Sequence, residues 1–99
     1  MSPDQSASTL RVACLQMEPR IGHKADNLTR SLQGIAEAAA AGARLVVLPE
    51  LCNTGYVFQS RAEAVEAAEP VPDGPSCRAW ASAAARHGVV VVAGIAERI

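Results

Sequence analysis

Glu50 is the residue of this sequence that is best placed to do chemistry. It follows the apolar run Leu45–Leu48 and Pro49 in the stretch RLVVLPELCNTGY. A proline gives no N–H to a sheet ladder and keeps the residue before it extended, so strand pairing should stop where Glu50 begins. A carboxylate at a rigid strand end can reach a proton reproducibly, which is the first requirement of a general base. The alternative is an ordinary surface acid at the end of a strand.

Two aromatic residues follow this carboxylate. Between Glu50 and the pair Tyr56 and Phe58, the residues Asn53 and Gly55 predict a tight turn that aims the two rings. We therefore predict Tyr56 and Phe58 as candidates for lining a substrate pocket. Burial beside them would raise the proton affinity of the carboxylate, and a neighbouring lysine would lower it again. The alternative is two aromatic rings that pack on a short helix.

Cysteine and histidine give weaker signals. The cysteines are odd in number and widely spaced, which fits neither a disulfide framework nor a structural zinc site: Cys14, Cys52 and Cys77. Cys52 lies close to Glu50 and is a possible nucleophile, whereas the other two are interpreted as small core residues. His23 and His87 lie far from any cysteine pair, so we predict no metal site and no cofactor.

Composition restricts the class of protein. A chain of 99 residues forms one domain at most and buries only about 60 to 65% of its surface. With 49% hydrophobic, 19% charged and 3% aromatic residues, it suits an α/β interior. The net charge of −1 without like-sign runs argues against nucleic-acid and membrane partners. Residues 1–9 are polar, lack signal-peptide features and are predicted to be disordered, so we expect a cytoplasmic protein.

The first half of the chain predicts a strand, a helix and a second strand. Leu10–Met17 is rich in apolar residues and ends at a proline, which indicates a strand. From Asp26 onward the apolar residues follow a helical period, and Gly42 comes where a C-terminal cap belongs. The stripe consists of Leu28, Leu32, Ile35, Ala36 and Ala39. Leu45–Leu48 lacks alternation, as expected for a parallel strand with both faces covered.

The second half adds two helices and a strand. Ser60 and Glu63 have capping-box spacing and begin a short helix that stops before Pro70. Pro75 begins a further helix, which ends at His87 before a glycine. Its predicted buried face holds Cys77, Trp80, Ala81 and Ala84. Val89–Ile95 is the third strand, so the order β-α-β-α-α-β predicts a parallel sheet with right-handed crossovers.

This architecture has consequences for the site and for the size of the protein. Ligands of open parallel sheets bind beyond the carboxyl ends of the strands, where Glu50 is predicted to lie. Three strands leave open edges and an uncovered apolar face, which is a liability for an isolated chain. We therefore expect this chain to be the first part of something larger.

Four features in order resemble one enzyme family. They are VACLQMEPRIG, Asn27 in the first helix, GARLVVLPELCNTGY and HGVVVVAGIAER. Together they are similar to the N-terminal portion of the carbon-nitrogen hydrolase family, the nitrilase superfamily. The resemblance covers nearly the whole chain from Leu10. It implies that residues 10–99 are the N-terminal portion of a four-layer α-β-β-α sandwich.

The resemblance also implies a mechanism and a set of site residues. Family members use a Glu-Lys-Cys triad that hydrolyses amides, N-carbamoyl compounds or nitriles, and Glu50 matches the glutamate, the general base. Lys24, the only lysine, precedes the predicted first helix, and Cys52 does not match the nucleophile's turn. The chain alone is therefore expected to be inactive. A complete enzyme of this family is expected to act on a small molecule and to form a homo-oligomer.

Two other functions remain open at this point. The chain could be a non-catalytic module that associates through its open sheet. A nucleotide-binding unit is a weaker alternative, because neither of the common glycine-rich phosphate motifs follows a predicted strand.

Overall fold

The computed structural model describes residues 9–99, and the predicted disordered stretch therefore lies outside the described residues apart from Thr9. It contains three strands and three helices in the predicted order. The strands are β1 (Val12–Cys14), β2 (Leu45–Val47) and β3 (Val90–Val92). The helices are α1 (Lys24–Ala40), α2 (Arg61–Ala67) and α3 (Pro75–His87).

The strands form one parallel sheet in the order β1-β2-β3. Val46 in the central strand is level with Ala13 on one side and Val91 on the other. All three strands are shorter than the sequence predicts. Regular pairing extends over three residues of each strand. Single backbone bonds continue the ladder beyond the strands, from Leu15 N to Val47 O and from Leu48 N to Val92 O.

One face of the sheet is covered by α1 and α3, and the core lies between them. The buried apolar residues are Ile35, Ala38, Ala43, Val46, Leu48, Cys52, Trp80 and Val89. The buried face of α1 is centred on Asn27, Ser31, Ile35 and Ala38, so the predicted apolar stripe is rotated toward its flank. The rotation is possible because Ser31 is satisfied, its hydroxyl accepting the indole N–H of Trp80 at 2.9 Å. On α3, Ser76 and Trp80 are buried whereas Ala81 is exposed.

No helix or strand of residues 9–99 covers the opposite face of the sheet. Val12, Val90 and Val92 have exposed fractions of 47%, 60% and 48%, and Cys14 beside them is also exposed. The central strand was expected to be covered on both faces, but only Val46 is buried, and Leu45 and Val47 are half-buried. The side chains of Val12, Cys14, Val90 and Val92 lie on the uncovered apolar face expected of a three-stranded sheet, so Cys14 is not a core residue. These side chains alternate with Ala13 and Val91, which point toward the helices, so strand geometry leaves them on the uncovered side.

The helix ends follow the sequence closely. Ser60 accepts a hydrogen bond from Glu63 N at 3.1 Å, as the capping-box spacing predicts. Gly42 (φ 94°) and Gly88 (φ 64°) take the left-handed conformation after α1 and α3. No helix within residues 9–99 is long and apolar enough to cross a membrane.

Candidate active site

Glu50 lies at the carboxyl end of β2, as predicted. The last regular ladder bond is made by Leu48 N, and one further bond follows from Leu51 N to Gly94 O at 3.0 Å. Glu50 stands between these two bonds, and a Cβ added to Gly94 would lie 3.4 Å from its Cγ. The stem of the Glu50 side chain therefore lies beside Gly94, in the extension of β3.

The turn after Glu50 is strained at its first residue. Leu51 has a φ of 54°, a left-handed conformation that residues other than glycine adopt rarely. Its carbonyl accepts the N–H groups of Gly55 at 2.7 Å and of Thr54 at 3.2 Å, and Gly55 has a φ of 82°. The predicted tight turn is present. Strained backbone of this kind occurs preferentially at functional sites.

Tyr56 shares an open depression with Glu50. The depression has a volume of about 500 Å³ and is lined by Met17, Glu18, Pro19, Pro49, Glu50 and Tyr56. Both Glu50 and Tyr56 are exposed, so the carboxylate is not enclosed by apolar side chains within the described residues. The reason is that Leu48 points into the core under the helices, away from the depression.

Phe58 lies elsewhere. After Gly55 the chain turns toward α2, and Phe58 lines a second depression of about 360 Å³ with Lys24 and Glu63. Ile21 packs over Gly55, where an added Cβ would meet Ile21 Cδ1 at 2.8 Å. The structure therefore brings Tyr56, but not Phe58, into the depression that Glu50 lines.

Cys52 is placed poorly for nucleophilic chemistry. Its side chain is fully buried, and this burial raises the pKa of the thiol to about 11, with a smaller opposing effect from a backbone hydrogen bond. A thiol with that pKa is protonated near neutral pH, and the thiolate is the nucleophile. Cys77 is half-buried, and its pKa is also raised by burial and by the charges of Glu69 and Glu97. Within residues 9–99, no group of three or more His, Cys, Asp or Glu side chains could hold a metal ion.

Lys24 is engaged away from Glu50. It is the first residue of α1 and does not precede the helix as the sequence suggests. Its Nζ lies 3.0 Å from Oε2 of Glu69 and donates to the carbonyl of Ala67 at 2.9 Å. Lys24 is therefore not a partner for Glu50 in this structure.

Glu69 is a buried carboxylate that the sequence reasoning missed. It is only 3% exposed and accepts hydrogen bonds from Ser76 N at 2.7 Å and Ser76 Oγ at 2.8 Å. Burial acts to raise the pKa of Glu69, but the hydrogen bonds from Ser76 and Lys24 and the Lys24 charge outweigh it, so the pKa is lowered. The available signal was an acid shortly before the helix start at Pro75, where free N–H groups need acceptors.

Asn53 joins the turn to this buried cluster from two directions. Its carbonyl accepts Asn27 Nδ2 at 3.1 Å. Its own Nδ2 donates to Ser76 Oγ at 3.1 Å and lies 3.5 Å from Glu69 Oε2. Asn27 is also held by the backbone of Arg20. Asn27 Nδ2 donates to the carbonyl of Arg20 at 2.8 Å, and the N–H of Arg20 donates to Asn27 Oδ1 at 2.9 Å. Asn27 and Asn53 are both fully buried. The turn that follows Glu50 is thus fixed to α1 and to the start of α3.

Comparison with curated proteins finds similar sequences among nitrilases and amidases. The chain is 42% identical over 89 residues to a nitrilase of Pyrococcus abyssi, covering 90% of this chain and 34% of that protein. It is 34% identical over 101 residues to an arylacetonitrilase of Macrophomina phaseolina, covering 93% of this chain and 29% of the relative. It is 32% identical over 84 residues to a 2-oxoglutaramate amidase of Bacillus subtilis, covering 84% of this chain and 30% of that protein.

These figures describe a chain that spans about a third of the length of the curated relatives it matches. The family model for carbon-nitrogen hydrolases matches residues 11–99, which is nearly the whole chain. The parallel sheet and the order β-α-β-α-α-β are part of that family's fold. The chain belongs to the carbon-nitrogen hydrolase family.

Proposed function

We propose that the protein of which this chain is the N-terminal portion hydrolyses non-peptide carbon-nitrogen bonds, with Glu50 as general base. The observation that carries the proposal is the position of Glu50. It lies just beyond the carboxyl end of the central strand, with its side-chain stem beside Gly94, and precedes a turn that is closed by bonds from Leu51 N to Gly94 O and from Gly55 N to Leu51 O. A carboxylate whose backbone is fixed at a strand end starts from a reproducible position, which a general base needs.

The proposed reaction passes through a covalent intermediate. Glu50 takes the proton of a cysteine thiol, and the thiolate attacks the amide carbon to form a carbon-sulfur bond. The carbon-nitrogen bond breaks, and Glu50 returns its proton to the leaving ammonia or amine. Glu50 then takes a proton from water, which attacks the thioester and releases the acid and the thiol. A lysine stabilises the oxyanion in both tetrahedral intermediates.

The cysteine and the lysine of this triad are proposed to lie outside the chain. Cys52 is buried and protonated, and Lys24 is paired with Glu69, so neither is available to Glu50. We therefore predict that residues 1–99 alone are inactive. The substrate is a small amide, N-carbamoyl compound or nitrile. The cytoplasmic location and the homo-oligomeric state of a complete enzyme stay predictions.

The test is ammonia release from a panel of amides, N-carbamoyl amino acids and nitriles. Residues 1–99 and a form extended by the downstream coding sequence are compared, the latter also with Glu50→Gln. Loss of a general base should lower turnover by about 100-fold or more. The matched control is Glu18→Gln, because Glu18 is a second carboxylate in the same depression and should keep most of the activity. Turnover by the extended form that survives Glu50→Gln would sink the proposal.

A second candidate is a non-catalytic module that associates through the open face of its sheet. The observation that favours it is the exposure of Val12, Val90 and Val92 on one apolar surface. A second copy of this chain would cover that face. Stable self-association together with an inactive extended form would favour this alternative over a hydrolase.

A further inference from the structure

The carboxylate of Glu69 has no part in the proposed reaction, yet it is buried and charged. A buried charge is retained only where hydrogen bonds and an opposite charge compensate its desolvation. Lys24 and Ser76 supply both, at distances of 3.0 Å or less. Glu69 therefore joins the first residue of α1, Lys24, to the first turn of α3 at Ser76.

The hydroxyl of Ser76 connects this cluster to the turn after Glu50. It donates its proton to Glu69 at 2.8 Å and accepts Asn53 Nδ2 at 3.1 Å. The direction of donation is fixed, because an ionised carboxylate can only accept and the single hydroxyl proton is used there. The oxygen of Ser76 is therefore always presented to Asn53 as an acceptor.

Asn53 lies near the middle of the turn that begins at Leu51 and closes at Gly55. The left-handed conformation of Leu51 is unfavourable by itself and persists only where its surroundings hold it. Two bonds fix the ends of the turn, from Leu51 N to Gly94 O and from Gly55 N to Leu51 O. The bonds of Asn53 fix its middle, so releasing Asn53 permits Leu51 to relax and Glu50 to move away from Gly94.

We propose that Ser76 and Glu69 are positioning residues, which hold the turn at Asn53 and thereby keep the side chain of Glu50 beside Gly94. The catalytic consequence rests on the proposed function, but the placement of Glu50 can be measured without turnover. Neither residue lines the depression that holds Glu50. Their effect is therefore transmitted through the turn.

The test compares two buried serines in the purified protein. Ser76→Ala removes the 3.1 Å bond from Asn53 to the Ser76 hydroxyl and leaves Asn53 Nδ2 only its longer contact of 3.5 Å with Glu69 Oε2. It keeps the backbone bond from residue 76 to Glu69 at 2.7 Å, so the start of α3 retains its acceptor. Ser31→Ala is the matched control. Ser31 is equally buried and bonds the side chain of Trp80, but it makes no bond to the turn.

Two readouts follow the turn. Amide hydrogen exchange at Leu51 and Gly55 should become about 10-fold faster in Ser76→Ala, whereas exchange at Leu48 in the sheet should change little. The nuclear Overhauser contact between the γ-methylene of Glu50 and the α protons of Gly94 should weaken. Ser31→Ala should leave both unchanged. Equal acceleration at sheet and turn amides, or an unchanged turn, would overturn the proposal.

A second variant guards against loss of folding. Glu69→Gln keeps an acceptor for the backbone of Ser76 but removes the charge that orients the Ser76 hydroxyl. It should accelerate the same turn amides by a smaller factor, and an unchanged turn in this variant also contradicts the proposal. In the extended enzyme, Ser76→Ala should lower kcat about 10-fold with little change in KM. Absence of any Glu50-dependent turnover would instead refute the proposed function and leave the exchange result standing.

Discussion

Leu51, directly after the proposed base, holds a conformation that an L-residue adopts at a cost of about 1 kcal/mol or more. Glycine carries no such cost, so at this position the usual order of stability should reverse. Leu51→Gly and Leu51→Ala both remove the half-buried side chain and therefore lose similar packing. We expect Leu51→Gly to equal or exceed Leu51→Ala in free energy of unfolding, measured by urea denaturation. In ordinary extended or helical backbone, alanine is the more stable by about 0.5 to 1 kcal/mol, and that order here would mean that the turn is not left-handed in solution.

At the scale of elements, the glycines at the two ends of α3, Gly74 and Gly88, are needed for different reasons. A Cβ at Gly74 would lie 2.5 Å from the carbonyl oxygen of Pro70 and 2.9 Å from Glu69 Cβ. Gly88 has open space around it but a φ of 64°. Gly74→Ala should therefore cost about 2 to 3 kcal/mol through overpacking against backbone, and Gly88→Ala about 1 kcal/mol through conformation. Urea denaturation of both variants tests this order.

Asparagine separates the two causes, because it tolerates the left-handed region. Gly88→Asn should recover most of the stability that Gly88→Ala loses. Gly74→Asn should recover none, since any Cβ meets the same carbonyl. A Gly74→Ala variant more stable than Gly88→Ala would contradict the close contact at the start of α3.

The elements that local sequence determines were predictable, and the long-range polar contacts were not. The order of strands and helices, the Ser60 cap and the place of Glu50 follow from periodicity, capping chemistry and proline, which act over a few residues. The buried face of α1 was predicted with the wrong rotation because Ser31 is accommodated by Trp80, which is distant in sequence. The partner of Lys24 was missed for the same reason, since Glu69 lies on a segment that only the fold brings near. The exposure of Glu50 depends on which segments pack over the carboxyl end of the sheet, and the residues near Glu50 in sequence do not specify those segments.

At the scale of the whole molecule, the open face of the sheet determines how the purified chain behaves. Val12, Val90 and Val92 present an apolar surface on a sheet whose outer strands each pair on one side only within residues 9–99, which favours association with a second copy. We expect residues 1–99 to self-associate as concentration rises in sedimentation velocity, and Val92→Lys to suppress it, because a charge on that face resists desolvation. The matched control is Val65→Lys on α2, since Val65 is similarly exposed at 55% but lies outside the sheet. A chain that stays monomeric, or equal suppression by both substitutions, would show that the open face is not the surface of association.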